Sequence, residues 1–260
     1  MAEHIPLEEL RAWVQECGET AKGLYNNVAG SRKADRSWVT EADLAVERML
    51  TARIAERFPH HGILGEEQTR EGLDREFVWA IDPIDGTASF VAGLPIWGIS
   101  LGLLRRGEPY LGLLYFPLMG DWYWAEPGGG AYLNGRPIRV AEPGPLDSED
   151  WLSVPSNAHR RFEIDFVGKT RSLGSTAASL CYAARGSATA SLISGSSIWD
   201  IAAALAVLYA AGGVAVGLSG APLDTRELLG GGHQREPALA GHPAYVEELR
   251  AHIRVRPRQR

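Results

Sequence analysis

The chain has 260 residues, of which 45% are hydrophobic and 22% charged, with a net charge of −6. That is enough apolar material for one large domain or two closely joined halves, and the acidic balance argues against non-specific nucleic-acid binding. No apolar run reaches the ~18 residues of a membrane-spanning helix, no basic-then-apolar leader pattern opens the chain, and Cys17 and Cys181 are too few for a disulfide framework. A cytoplasmic protein with no membrane or nucleic-acid partner is therefore expected.

Leu10, Trp13, Val14, Cys17 and Ala21 recur at helical spacing and predict an amphipathic helix over residues 7–28, followed by a loop at 30–33 that carries Lys33. A second helix is predicted over 41–58. Thr40 and Asp43 have the spacing of a capping box, so Asp43 either caps this helix or belongs to a carboxylate cluster. After Pro59, His60 and His61 read as surface residues. Residues 63–65 form a short strand that ends in Glu66 and Glu67, which are either solvated or, pointing to opposite faces, divided between a site and its support.

Residues 77–81 read as a buried strand that ends in Asp82-Pro83-Ile84-Asp85-Gly86-Thr87. As a plain turn this segment needs no function. Its two acids, held close by a stiff proline, nevertheless suit a hard cation such as Mg²⁺. Gly86 lets the backbone turn, and Thr87 can cap a helix whose free N–H groups would receive an anion. Strands are then predicted at 97–104, 110–115, 122–126, 131–133 and 136–140, with a turn at Arg105-Arg106-Gly107-Glu108 and a hairpin turn at Asn134-Gly135, as an antiparallel meander of four or five strands. The glycine runs lack the order of a nucleotide fingerprint.

Residues 141–150 are rich in proline, glycine and acid and divide the chain into an N-terminal half, 1–145, and a C-terminal half, 146–260. Beyond them the pattern gives strands at 151–154, 170–172 and 188–193. A small-residue helix opens at Gly174-Ser175-Thr176-Ala177, and an apolar helix runs over 201–211. Asp200 either favours the positive start of that helix or joins the acids upstream. The basic residues 254–260 read as a solvated, frayed tail.

Gly65-Glu66-Glu67, Asp82-Pro83-Ile84-Asp85-Gly86-Thr87 and Trp199-Asp200-Ile201-Ala202-Ala203, in this order and spacing, resemble the inositol monophosphatase family over about residues 7–240. The resemblance implies an α+β fold, a layered αβαβα sandwich, and a lithium-sensitive phosphomonoesterase that uses two or three Mg²⁺ ions and forms a homodimer. It implies metal ligation by Glu66, Asp82, Asp85, Asp200 and the Ile84 carbonyl. Gly86 and Thr87 would hold phosphate, with Asp43 paired to Thr87 and, together with Glu66, placed for proton transfer. Lys33 would stand near the site, and Gly174 and Ser175 would meet the rest of a small phosphorylated metabolite. Inositol-specific members carry a glutamate near the position of Ile193, and the family's Gly-x-x-Asp reads Gly186-Ser187-Ala188-Thr189 here, so inositol phosphate is not singled out. Residues 90–98 resemble the histidinol-phosphatase branch, which is one alternative; a non-catalytic binding protein of the same fold is another.

Overall fold

The structure, a computed structural model, describes residues 5–27 and 29–257. Helices α1 (Leu7–Leu24) and α2 (Glu41–Arg57) pack side by side. Each buries one stripe, Leu10, Val14, Cys17 and Ala21 on the first and Ala42, Val46, Leu50 and Ile54 on the second. α1 stops short of the predicted residue 28 because Tyr25 turns extended and Asn26 takes a positive φ of 63°; Val28 lies outside the described residues. The expected loop at 30–33 contributes half of a small ribbon, β1 (Ser31–Arg32) against β2 (Trp38–Val39).

The first large sheet has eight strands: β3 (Gly62–Gly65), β4 (Arg70–Glu71), β5 (Phe77–Asp85), β6 (Gly98–Arg105), β7 (Glu108–Phe116), β8 (Asp121–Ala125), β9 (Ala131–Leu133) and β10 (Arg136–Ile138). The short helix α3 (Thr87–Val91) leaves between β5 and β6. The predicted meander is longer and mixed. β5 to β10 run antiparallel in turn, whereas β3 lies parallel to β5 on the other side. Both two-residue hairpins fall where the sequence places them, with positive φ at Arg106-Gly107 and Asn134-Gly135.

After residue 150 come β11 (Trp151–Ser153), α4 (Ala158–Arg161), β12 (Phe162–Ile164), β13 (Lys169–Arg171), α5 (Thr176–Ala184), β14 (Ala190–Ile193) and α6 (Ile198–Ala210). The chain then adds β15 (Val214–Gly217), β16 (Ala238–Gly241), α7 (Pro243–Arg250) and β17 (Ile253–Val255). The second sheet has the order β13-β11-β14-β16-β15.

Alternation along the strands assigns the layers. In β5, Trp79 and Ile81 pack with α1 and α2, while Val78 and Ala80 join the core that holds α5 and α6. In the second sheet, Ile193, Ala238 and Ala240 face that same helical layer, and Leu192 and Leu239 face Tyr245, Val246 and Leu249 of α7. The result is the expected αβαβα sandwich. The helical layer sits very close to the first sheet. Gly102 and Gly112 are cross-strand partners, and a Cβ on Gly112 would stand 2.1 Å from the Ala203 carbonyl oxygen of α6.

Two further expectations are corrected. His61 is buried rather than on the surface: it stacks between Phe58 and Phe77 and accepts a hydrogen bond from Trp79 Nε1 at 3.0 Å. The basic tail is not frayed from Arg254 onward. β17 pairs with β12, and Arg256 donates its backbone N–H to Arg161 and its Nε to the Phe162 carbonyl; residues 258–260 lie outside the described residues. No helix among the described residues is long and apolar enough to cross a membrane.

Candidate active site

The acids converge through the ends of elements. Glu66 follows β3, and the parallel β5 beside it carries Asp82 and Asp85 at its own C-terminal end. β5 does not stop at Ile81 as predicted but continues to Asp85 through an irregularity. Asp82 pairs with Ser100 and Asp85 with Gly98, so two residues of β5 oppose one of β6. In a regular strand, residues three apart point to opposite faces; the added residue brings both carboxylates to one side. Asp82 is 3% and Asp85 4% exposed.

Gly86 is the cap of α3, with φ +91°, a region closed to most side chains, and Thr87 is the first helical residue rather than the cap. A Cβ on Gly86 would meet the Ile96 carbonyl at 3.0 Å and Gly174 at 3.3 Å, so the turn lies against the start of α5. The Thr87 hydroxyl lies 3.0 Å from the Ile84 carbonyl and 3.2 Å from Asp43 Oδ1, and its one proton serves both. Asp43 also closes the capping box of α2, accepting from Thr40 N at 2.8 Å and Thr40 Oγ1 at 2.6 Å. The capping reading of Asp43 holds through one oxygen, while the other faces Thr87.

From the second half come Ser175 and Asp200. Ser175 caps α5 and donates to Asp85, which also accepts from Thr176 N at 3.1 Å and Ala177 N at 3.2 Å. Asp200 completes the capping box of α6, accepting from Ser197 N at 2.7 Å. Lys33 Nζ enters the cluster and donates to Glu66 at 2.7 Å and Glu67 at 2.6 Å.

The electrostatics are those of like charges gathered out of water. Burial, then Glu66 and Asp85, push the Asp82 carboxyl well above the usual carboxylate range. Burial and Glu66 do the same to Asp200. Asp85 is raised to about 6 by burial despite its three donors, and Asp43 to about 6 by burial. Glu67 is raised to about 7, again chiefly by burial. Burial opposes the Lys33 ammonium, yet Glu66 and Glu67 hold it protonated. Among the described residues no three acidic, histidine or cysteine side chains already surround one point at ligand distance; Glu66, Asp85 and Asp200 are turned to protein donors instead. The donor set is all oxygen, and its mutual repulsion is what a hard divalent cation would relieve, so the residues fit such an ion chemically. The cysteines take no part: both are buried and free, and burial lifts the Cys17 thiol to about 12.

The sequence profile of the Inositol monophosphatase family matches residues 6–254. The chain belongs to the inositol monophosphatase family. It is 34% identical over 230 residues to an inositol-1-monophosphatase of Mesorhizobium japonicum, spanning 84% of this chain and 86% of that protein. It is also 34% identical over 209 residues to a fructose-1,6-bisphosphatase/inositol-1-monophosphatase of Aquifex aeolicus, spanning 76% of this chain and 79% of that protein. An IMPase structure from Thermotoga maritima superposes with a TM-score of 0.81 at 27% identity, covering 94% of this chain and 95% of that one.

One residue of this family member's site has no counterpart in the sequence reading. Glu47, 3% exposed, accepts backbone N–H groups of Glu67, Gln68 and Thr69 at 2.7, 2.8 and 2.9 Å and the Thr69 hydroxyl at 3.0 Å. It thereby anchors the segment that begins with Glu66. Its signal was an acid next to Val46 on the apolar stripe of α2, one helical turn after Asp43.

Proposed function

We propose that this protein hydrolyses small phosphate monoesters with bound Mg²⁺, two or three ions held by Glu66, Asp82, Asp85, Asp200 and the Ile84 carbonyl. The observation that carries the reading is the bulge that turns Asp82 and Asp85 to one side, beside Glu66 and Asp200, in a cluster whose carboxyls burial and mutual repulsion have raised. When bound, such ions neutralise the phosphate dianion and acidify a water. The N–H groups of Gly86 and Thr87 receive phosphate oxygens. Thr87, with Asp43 and Ile84 as its acceptors, orients the attacking water, and Asp43 and Glu66 are the bases placed to take its proton. The water oxygen bonds to phosphorus as the ester oxygen leaves and is protonated, giving an alcohol and inorganic phosphate. Gly174 and Ser175 border the alcohol side. The same reading includes a cytoplasmic homodimer, which light scattering of the purified chain would test.

The deciding assay measures phosphate release from inositol 1-phosphate, histidinol phosphate, fructose 1,6-bisphosphate and 3′-phosphoadenosine 5′-phosphate, with Mg²⁺, with EDTA and with Li⁺. Release that needs Mg²⁺ and falls with Li⁺ is expected. Mg²⁺ binding without release from any of them would instead favour a non-catalytic protein of this fold.

A further inference from the structure

Beside the acid cluster lies a cavity of about 150 Å³, below the ~300–1,000 Å³ of pockets that take drug-sized ligands. Ser175, which donates to Asp85, lies in its wall and joins it to the phosphate side. Ser156, Ser172, Thr176, Ser179, Ser194 and Ser196 also line it, each with a hydroxyl. No acidic side chain lines the cavity, and the wall after Leu192 is the apolar Ile193.

A cation lies near the 194–196 segment of the wall, outside the lining itself. Gly195 lies between the lining residues Ser194 and Ser196, and Arg161 Nη1 is 3.8 Å from where its Cβ would be. Arg161 closes α4, and its backbone carbonyl accepts from Arg256 N at 2.8 Å, which holds its backbone in place. Its guanidinium rests on Phe162 at 5.5 Å and, among the described residues, meets no carboxylate. Elsewhere in this chain, Arg53, Arg57, Arg105 and Arg250 each hold an acid. A half-buried guanidinium without a counter-ion, beside a cavity without acids, fits an anion with two oxygens that it can grip with paired N–H groups.

We infer that the preferred substrate carries a second anionic group, a phosphate or a carboxylate, across a short hydroxylated body from the scissile phosphate, and that Arg161 receives it. This rests on the phosphomonoesterase reading and narrows it: a neutral polyol phosphate leaves Arg161 unused.

The test has a binding arm and a kinetic arm. Calorimetric titration of the full chain with Ca²⁺ in place of Mg²⁺ compares fructose 1,6-bisphosphate, 3-phosphoglycerate and inositol 1-phosphate; the first two separate a phosphate from a carboxylate as the second anion. At least one of them is expected to bind about tenfold more tightly than inositol 1-phosphate, the scale of a charge-assisted contact. Arg161→Gln should bring that ratio close to one, and Arg161→Lys, which keeps the charge without the paired N–H groups, should keep only part of it. With Mg²⁺, the same variants should move KM for the doubly charged substrate more than kcat. A wild-type ratio near one, or a ratio that Arg161→Gln leaves intact, overturns the inference. A ratio that depends on Arg161 with no phosphate release from any compound leaves the inference standing and overturns the hydrolytic reading.

Discussion

Replacing Asp82 with asparagine keeps its shape and removes one of four clustered negative charges. Burial and the neighbouring acids already press that carboxyl towards its neutral form, so the metal-free variant is expected to melt at a higher temperature than the wild type. Its Mg²⁺-dependent activity should fall at least about a hundredfold, because a ligand and a charge are lost together. Full activity in Asp82→Asn would remove it from the metal site. Glu47 behaves in the opposite way. Its carboxylate satisfies three backbone donors and a hydroxyl, so Glu47→Ala should cost about 2 kcal/mol or more, through buried donors left without an acceptor. It should also lower kcat/KM by loosening Glu66, and chemical denaturation beside steady-state kinetics would check both effects. At this scale the sequence showed Asp82, Asp85 and Asp200 because each is an acid beside an apolar run, at the end of a strand or the start of a helix. Glu47 stayed hidden because an acid on a helix is ordinarily solvated, and only the folded loop supplies the three N–H groups that draw it inside.

The helix that carries Asp200 is seated by glycine. A Cβ at Gly112 would press into the backbone of Ala203, and one at Gly102 would come within 2.8 Å of Ala202 and Ala203. Gly112→Ala must therefore lift α6 from the sheet, at an overpacking cost of roughly 1–3 kcal/mol. Because Asp200 lies in the first turn of α6, Mg²⁺ affinity should weaken with stability. A variant with lower melting temperature and unchanged Mg²⁺ affinity would show that the helix start does not follow its middle. The elements themselves were largely legible. Hairpin turns at Arg106-Gly107 and Asn134-Gly135 and the starts of α2 and α5 follow from local chemistry, whereas α6 begins at Ile198, three residues before the expected 201. The parallel pairing of β3 with β5 and the run of β5 through its acids were not, because pairing partners and bulges are settled by neighbouring strands. Nor were β15, β16 and β17, whose short segments have too few residues to show a period.

Across the whole molecule the cluster links stability to pH. Asp43 and Asp85 titrate near 6 in the fold, against ~4 for an exposed aspartate. Between these values the folded chain binds more protons than the unfolded one. The stability they confer is thus full below pH 4 and is lost as the pH rises through 6. EDTA-treated protein should be less stable at pH 7.5 than at pH 5, by an amount on the order of 1 kcal/mol for each group, and so melt lower. Mg²⁺ should restore much of the loss at pH 7.5 and add little at pH 5, a difference that melting curves would read directly. A melting temperature that climbs between these pH values without Mg²⁺ would contradict the arrangement. The order of layers has a further consequence. The helical layer of α5 and α6 is the inner wall of both sheets, with Val78, Ala80 and Leu114 on one side and Ile193, Ala238 and Ala240 on the other. If the chain were severed between residues 141 and 150, the first fragment would carry its sheet with one oily face bare, and the second would hold α5 and α6 against its own sheet with their opposite face bare. Neither piece would be expected to stay in solution by itself, whereas the two refolded together should complement each other, since the acid cluster is divided between them, with Glu66, Asp82 and Asp85 on one and Asp200 on the other.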